Sequence, residues 1–449
     1  MNKSAVIGVF IVFCFSTHVK VSPAVETSAI IPVAETKVLS VAGNDDEHTK
    51  PDKIADPRLK IVQQKAEALI QSGLNAGDGY GEVWIRDLNT FIEPACRVGD
   101  KSKIREALLT FFKFQGPDGN IVDGYIPRKD EKVNYDFIYS NLAPQYAAHK
   151  NTVETDQESS LIQAIAKYMH ATKDQSFLQE QIAGRTVEQR MGDALKFLLN
   201  KRYNEKYGLL WGATTADWGD VQPEHEWGVK LDSTSHLCID IYDNAMFAIA
   251  IKDYIAMIND EHEQAYWQGI RQYIMDNTRK HLWDSRRQKF IPHIYLNGSP
   301  FPPDFDEDAI YYHGGTAVAI EAGMLERNEI LDAYHKMQQN VKAAGAQTIG
   351  LTLYPVYPNG FFKNPDMSEY SYQNGGDWTW FGGRMVQQLI LNGFYTEAYE
   401  ALSPMLDRVI KHDGFYEWWT PAGEPKGSGM FRGSAGVLWK AIDMLFEGE

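Results

Sequence analysis

From residue 58 to the C-terminal end, apolar residues recur at three- and four-residue spacing in twelve stretches. These fall at about 58–73, 86–98, 102–115, 155–171, 184–202, 238–258, 260–281, 313–323, 326–341, 376–393, 395–411 and 432–446. Such a period belongs to helices, not to strands, whose side chains alternate with a period of two. The connections are of two kinds. Asn259–Asp260 and Asn392–Gly393 are tight enough to fold neighbouring helices into antiparallel pairs. The segments 74–85, 116–154, 203–237, 282–312, 342–375 and 412–431 are long and carry Gly, Pro, Trp and acids. Six pairs closed into a ring would gather those long segments at one end. The pattern therefore predicts an all-α chain, an (α/α)6 barrel over 58–449 with its loops around one funnel. No Pro/Gly/Ser-rich linker splits the helical region, and no sequence-identical repeat is visible.

Upstream of the helices the composition changes. Residues 1–24 read as a secretory signal: Lys3 gives a positive start, Ala5 to Phe15 a short apolar core, and Ser22 and Ala24 small residues for cleavage. That core is too short to span a bilayer and no later stretch is a candidate, so an exported, periplasmic or extracellular protein without a membrane span is expected. Residues 25–57 lack a sustained period and read as a flexible tether. Cys14 lies in the signal. Cys96 and Cys238 sit in apolar, helix-like stretches and read as buried thiols rather than a bridge. The net charge of -16 argues against nucleic acid or an anionic membrane as partner. No zinc-site spacing and no phosphate-binding glycine loop is present, so neither metal nor cofactor is expected. Asp304-Phe305-Asp306-Glu307-Asp308 lacks an EF-hand pattern and reads as a solvated acidic loop.

The long segments hold the residues with chemistry. Tyr80 to Leu88 runs from a glycine-rich loop into a helix start, where Arg86 and Asp87 can bond hydroxyls and Trp84 offers a stacking face. Asp123 to Arg128 and Asn151 to Ser160 add carboxylates, with Glu154 and Asp156 where a helix begins; such acids also suit a helix dipole. Trp211 to Asp220 contains Asp217 and Asp220, with Trp211, Trp218 and Trp227 available to desolvate a carboxyl and keep it protonated. Tyr372 to Arg384 carries Asn374, Asp377, Trp378 and Trp380, and Gly375-Gly376 could present backbone amides. Near the end, Glu417 sits among Phe415, Tyr416, Trp418 and Trp419, where it could act as a general base. Asp243-Asn244 reads as a helix-end polar pair. Aromatic faces and a separated pair of carboxylates are what hydrolysis of a glycosidic bond requires.

Trp84-Ile85-Arg86-Asp87, Asn374-Gly375-Gly376-Asp377-Trp378-Thr379-Trp380 and Tyr416-Glu417-Trp418-Trp419-Thr420-Pro421-Ala422-Gly423 resemble motifs of the six-hairpin glycosidases. The similarity is greatest to glycoside hydrolase family 63, trehalases and amylo-α-1,6-glucosidases, and it spans most of residues 58–446. The resemblance implies an inverting mechanism, with an Asp general acid on a mid-chain loop and a Glu general base near the C-terminus. Glu417 matches the base. The Ser-Gly-x-Asp context of family 63 and trehalases is missing, but Trp218-Gly219-Asp220 is similar to the Trp-x-Asp of debranching-type relatives. Asp220 is thus the first candidate acid and Asp217 the second. Trp418-Trp419 stands where the family usually has Tyr-Tyr/Phe, and Thr420 where it often has Asp. The expected substrate is an oligosaccharide or glycoside attacked at its end, with Trp84, Arg86, Asp87, Asp377 and Trp378 on the terminal sugar. A polysaccharide lyase, or a non-catalytic sugar-binding protein, could use the same helical toroid.

Overall fold

The computed structural model describes residues 55–131 and 136–446. The proposed signal and nearly all of the tether lie outside the described residues. Twelve α-helices are present among them: α1 Pro57–Gln71, α2 Ile85–Val98, α3 Lys101–Lys113, α4 Gln157–Thr172, α5 Val187–Lys201, α6 Ile241–Met257, α7 Glu261–His281, α8 His313–Glu321, α9 Arg327–Ala344, α10 Thr379–Leu391, α11 Tyr395–Lys411 and α12 Arg432–Phe446. The even-numbered helices pack side by side in the order α2, α4, α6, α8, α10, α12, and α12 returns to α2. This closes the inner ring. The odd-numbered helices lie outside it, each against an inner helix next to it in sequence, with α1 also against α12.

Composition explains which helix goes where. α6 buries twelve of its 17 residues, including an unbroken run from Ile241 to Ile251. α7 buries only Trp267, Ile274, Asn277 and Thr278 of its 21. A helix apolar all round is stable only when covered on every side, whereas one with a narrow stripe faces water. The ring closes through close contact at Gly436, where a Cβ would lie 2.5 Å from Phe91 Cβ. An alanine there would prise α12 from α2, at roughly 1–3 kcal/mol.

All six long segments lead into the N-termini of inner helices, so they meet at one end of the barrel. Short connections occupy the opposite end, as at Gly393 (φ 79) between α10 and α11. The α4–α5 connection is the exception, with a 3-10 turn and a small hairpin between Gln181–Ile182 and Arg185–Thr186. Several helices begin later than the apolar period predicts. Residues 237–239 pair as a strand before α6, and α10 starts at Thr379 rather than 376. Buried loop backbone needs hydrogen-bond partners, and short ladders supply them. The main one is a three-stranded sheet of β1 Val83–Trp84, β2 Gly124–Pro127 and β3 Tyr146–His149, all antiparallel. A second, smaller apolar cluster lies under the loops around Ala216, Tyr312, Leu353 and Tyr357. Cys96 and Cys238 are buried free thiols. No described helix is long and apolar enough to cross a membrane.

Candidate active site

At the loop end of the barrel, Asp220 and Glu417 line one cavity of about 80 Å3 with Tyr80, Trp84, Arg86, Asp87, Asp123, Trp218, Tyr372, Gln373, Trp378, Trp380 and Phe431. The two acids are 417 − 220 = 197 residues apart in sequence. Ring closure brings their loops together.

The first wall comes from the segment entering α2. Trp84 lies opposite Gly124 of β2, where a Cβ would come within 2.7 Å of the indole, so glycine is required for that approach. Arg86 follows in the first turn of α2. Its Nε donates to Asp156 Oδ2 at 3.0 Å, and its Nη2 to Glu154 Oε2 and to Asp123 Oδ1, the latter at 3.4 Å. Asn151 Nδ2 donates to Glu154 at 2.7 Å and Tyr242 OH to Asp156 at 2.8 Å. Glu154 and Asp156 therefore fix Arg86 from behind and do not face the cavity. One guanidinium cannot keep three buried carboxylates all ionised. Burial pushes Asp123 up to about 7 and Glu154 well above the usual carboxylate range, with Arg86 pulling the other way. Asp87 faces the cavity and is pushed up to about 7 by burial, opposed by Arg86 and reinforced by Glu417 and Asp123.

The second wall is the turn before α6. Asp217 takes the left-handed conformation (φ 59), and its carboxylate accepts from Gly314 N and Gly315 N, each at 2.7 Å. Those amides are at the N-terminus of α8, where the helix dipole favours an anion. Asp217 is 1% exposed and absent from the cavity wall; it locks the turn and leaves Trp218 and Asp220 on the cavity side. Of the two candidate acids, only Asp220 lines this cavity. Asp220 Oδ1 accepts from Gln373 Nε2 at 2.8 Å. Trp218 supplies the apolar face beside it. Trp211 instead lies beneath Arg202 at 4.7 Å, and Trp227 is 65% exposed.

The third wall precedes α10. Trp378 and Trp380 reach the cavity, but two neighbours expected there do not. Asn374 is a staple: Oδ1 accepts from Tyr357 N, and Nδ2 donates to Tyr357 O and Met367 O, at 2.9 to 3.1 Å. Asp377 is fully buried, accepting from Thr348 and from Arg408 Nη2 at 2.9 Å, while its backbone pairs with Trp419. It ties together the loops before α10 and α12. The amides of Gly375 and Gly376 are also taken, by Thr352 Oγ1 and Tyr372 O.

The last wall carries Glu417. Oε1 accepts from Tyr80 OH at 2.8 Å and Oε2 from Ser428 N at 2.7 Å. Burial raises its pKa, and these two donors oppose the rise. Gly427 (φ 68) is needed here, since a Cβ would lie 2.4 Å from Oε2. Trp418 points elsewhere, its ring against Gly376 and 6.3 Å from that of Tyr372. Asn244 bonds Leu210 on both backbone groups, a structural role for the Asp243-Asn244 pair. In the acidic loop, Glu307 is half-buried and accepts from Tyr295 and Tyr357. Among the described residues no group of three or more His, Cys, Asp or Glu is arranged to hold a metal ion.

Sequence reasoning missed Tyr80, Asp123, Tyr372, Gln373 and Phe431 as cavity residues. Four of them lie inside the motifs already singled out; Phe431 carried no signal. Three wall residues, Trp84, Trp218 and Trp380, have indole N–H groups with no protein partner, as has Gln373 Oε1. Buried donors are rarely left unpaired.

No family model and no curated protein matches the chain in sequence. Solved structures match it in fold. The family 63 mannosylglycerate hydrolase of Thermus thermophilus, in complex with Tris and D-glycerate, superimposes with a TM-score of 0.59 at 15% identity, covering 84% of this chain and 100% of that one. A rhamnosidase from Klebsiella oxytoca with rhamnose bound gives 0.56 at 13%, covering 86% and 63%. A family 78 rhamnosidase of Bacillus sp. GL1 gives 0.57 at 13%, covering 86% and 35%. The fold is that of the six-hairpin (α/α)6 glycosidases.

Proposed function

We propose that this chain is an exported glycoside hydrolase that releases an uncharged terminal sugar with inversion of configuration, Asp220 acting as general acid and Glu417 as general base. The carrying observation is that these two carboxylates, from opposite parts of the sequence, wall one small aromatic cavity. Inversion calls for carboxyl groups roughly 6.5–9.5 Å apart, leaving room for a water on the face opposite the leaving group. Asp220 would protonate the glycosidic oxygen while Glu417 takes the proton of that water. Trp84, Trp218 and Trp380 would bind the ring by stacking and by their indole N–H groups, Trp378 by stacking alone since its N–H is held by Tyr372 O, and Asp87 would accept from a hydroxyl.

The charge of the cavity supports an uncharged sugar. Arg86 is the one cation among its lining residues, and three carboxylates already engage it. A lyase acting on an acidic sugar needs a free cation or metal to neutralise the uronate, and this wall offers none. A small cavity reached from one end suits removal of a chain-end residue. The positive and apolar start of the sequence, Lys3 to Phe15, supports export.

The test is to make Asp220→Asn and Glu417→Gln separately and follow hydrolysis of a p-nitrophenyl glycoside panel. General acid–base catalysis contributes about 10²–10⁴-fold, so either change should cost at least a hundredfold. NMR of the fresh product should show the anomer opposite to the substrate. Hydrolysis near the wild-type rate in either variant, or retention of configuration, defeats the assignment.

A further inference from the structure

We propose that Trp227 and Tyr139 form a platform for further uncharged sugar rings on the leaving side of the scissile bond, so that the natural substrate is an oligosaccharide rather than a simple glycoside. This rests on the glycosidase reading above. Trp227 stands 65% exposed, and Tyr139, flanked by exposed Ile138 and Leu142, is 53% exposed. Packing of the barrel does not account for large apolar rings held out in water.

The segment that carries Trp227 starts directly after Asp220 and is built rather than loose. Gln222 Nε2 donates to Lys230 O at 2.8 Å, and Ser235 Oγ to Gln222 Oε1 at 2.6 Å. Thr152 N donates to Val229 O, and Leu231 N to Thr152 Oγ1, both at 2.8 Å. These bonds fix the ends of a short excursion with Trp227 between them. An ion pair from Lys230 to Asp136 joins it to the segment of Tyr139. Arg128 lies over the Tyr139 ring at 4.5 Å.

The same segment is continuous with the cavity. Ile138 pairs with Ala148 of β3, so the order across the sheet runs Trp84, β2, β3, Ile138. Three strand spacings of about 4.8 Å put this rim about 14 Å from the cavity wall at Trp84. A single ring bound at the acids cannot reach it, whereas an extended leaving group can. Lys230 is paired with Asp136, and Arg128 with Glu131 and the Tyr139 ring, so neither cation is free for an acidic sugar, and the aromatic faces offer stacking.

The test compares Trp227→Ala and Tyr139→Ala with the wild type on linear gluco-, manno-, galacto- and rhamno-trisaccharides and on the matching p-nitrophenyl monoglycosides. Expected is a fall of about tenfold or more in kcat/KM on the cleaved trisaccharide, with the monoglycoside rate unchanged. Equal rates on both substrates, or parallel losses on both, overturn the platform. Failure of the glycosidase reading looks different: the wild type itself cleaves nothing in either series. In that case trisaccharide binding to the full chain, followed by tryptophan fluorescence, still decides. A dissociation constant unchanged by Trp227→Ala overturns the platform, and one weakened about tenfold upholds it.

Discussion

Replacing Tyr80 with Phe removes one oxygen and keeps the ring that meets Trp84 edge-on at 6.4 Å. The lost group is the phenol that donates to Glu417 Oε1 at 2.8 Å. Burial drives Glu417 toward the protonated form, and only Ser428 N and Tyr80 are bonded to it in opposition. A hydrogen bond to a charged acceptor is worth about 1.5–3 kcal/mol. At 1.36 kcal/mol per pH unit this corresponds to a rise of about 1–2 units in the pKa of Glu417. Water entering the space would restore part of it, so about one unit is expected. A general base works only when ionised, and the acidic limb of the kcat/KM profile reports the base of the free enzyme. Tyr80→Phe should therefore move that limb about one unit to higher pH, with about a tenfold loss below it and a much smaller loss above. The assay is kcat/KM from about pH 4 to 8 on an aryl glycoside cleaved by the wild type. An unmoved limb with a uniform loss would refute the reasoning and reduce Tyr80 to a sugar contact.

Asp87→Asn should alter the pH dependence of stability. A carboxyl whose folded pKa is raised contributes stability fully present below its unfolded value and lost as pH rises through the folded one. For Asp87 the window runs from 3.8 to about 7, an interval equivalent to about 4 kcal/mol at most. Chemical denaturation should thus show the variant gaining on the wild type more at about pH 8 than at about pH 5; an equal difference at both contradicts the assignment. Gly314→Ala would place a Cβ 2.7 Å from Asp217 Oδ2 and 2.9 Å from the Trp218 ring. It should cost roughly 1–3 kcal/mol in denaturation and lower kcat as Asp220 shifts, and wild-type values for both would show that the Asp217 lock is dispensable. Trp380→Phe keeps an aromatic face but removes the pyrrole half of the indole with its unpartnered N–H, so kcat/KM on the cleaved sugar should fall at least about 3- to 10-fold, from 0.5–1.5 kcal/mol per neutral hydrogen bond. Within a series of deoxy analogues, the one lacking the paired hydroxyl should lose nothing more; a loss identical for every analogue counts against a hydrogen bond there.

The barrel was legible because period and connection length are local properties. α6 is apolar on every side and α7 on one stripe, and that contrast is written in their residues. The tie between Trp84 and Gly124, or between Asp377 and Trp419, is not written there, because each joins loops that only ring closure brings together. This explains why motif membership does not tell which side chains line the cavity. Asn374, Asp377 and Trp418 belong to motifs that do line the cavity, yet their own side chains hold loops. An acid beside tryptophans looks the same in sequence whether it meets substrate or an amide pair. Asp217 and Asp220 differ in the structure because Gly314 and Gly315, nearly a hundred residues on, offer two N–H groups to the first and none to the second.

That difference also bears on how two carboxylates in one cavity can take opposite roles. Glu417 has a donor on each oxygen, a phenol on one and a backbone amide on the other. Donors on both oxygens favour the ionised form, as a base needs, and each oxygen keeps lone-pair capacity for a water proton. Asp220 has a donor only on Oδ1, from Gln373. Among the described residues no hydrogen bond reaches its Oδ2, which leaves that oxygen free to face the leaving group in the proposed reaction. Gln373→Ala should therefore loosen the proposed acid while leaving the proposed base as it was.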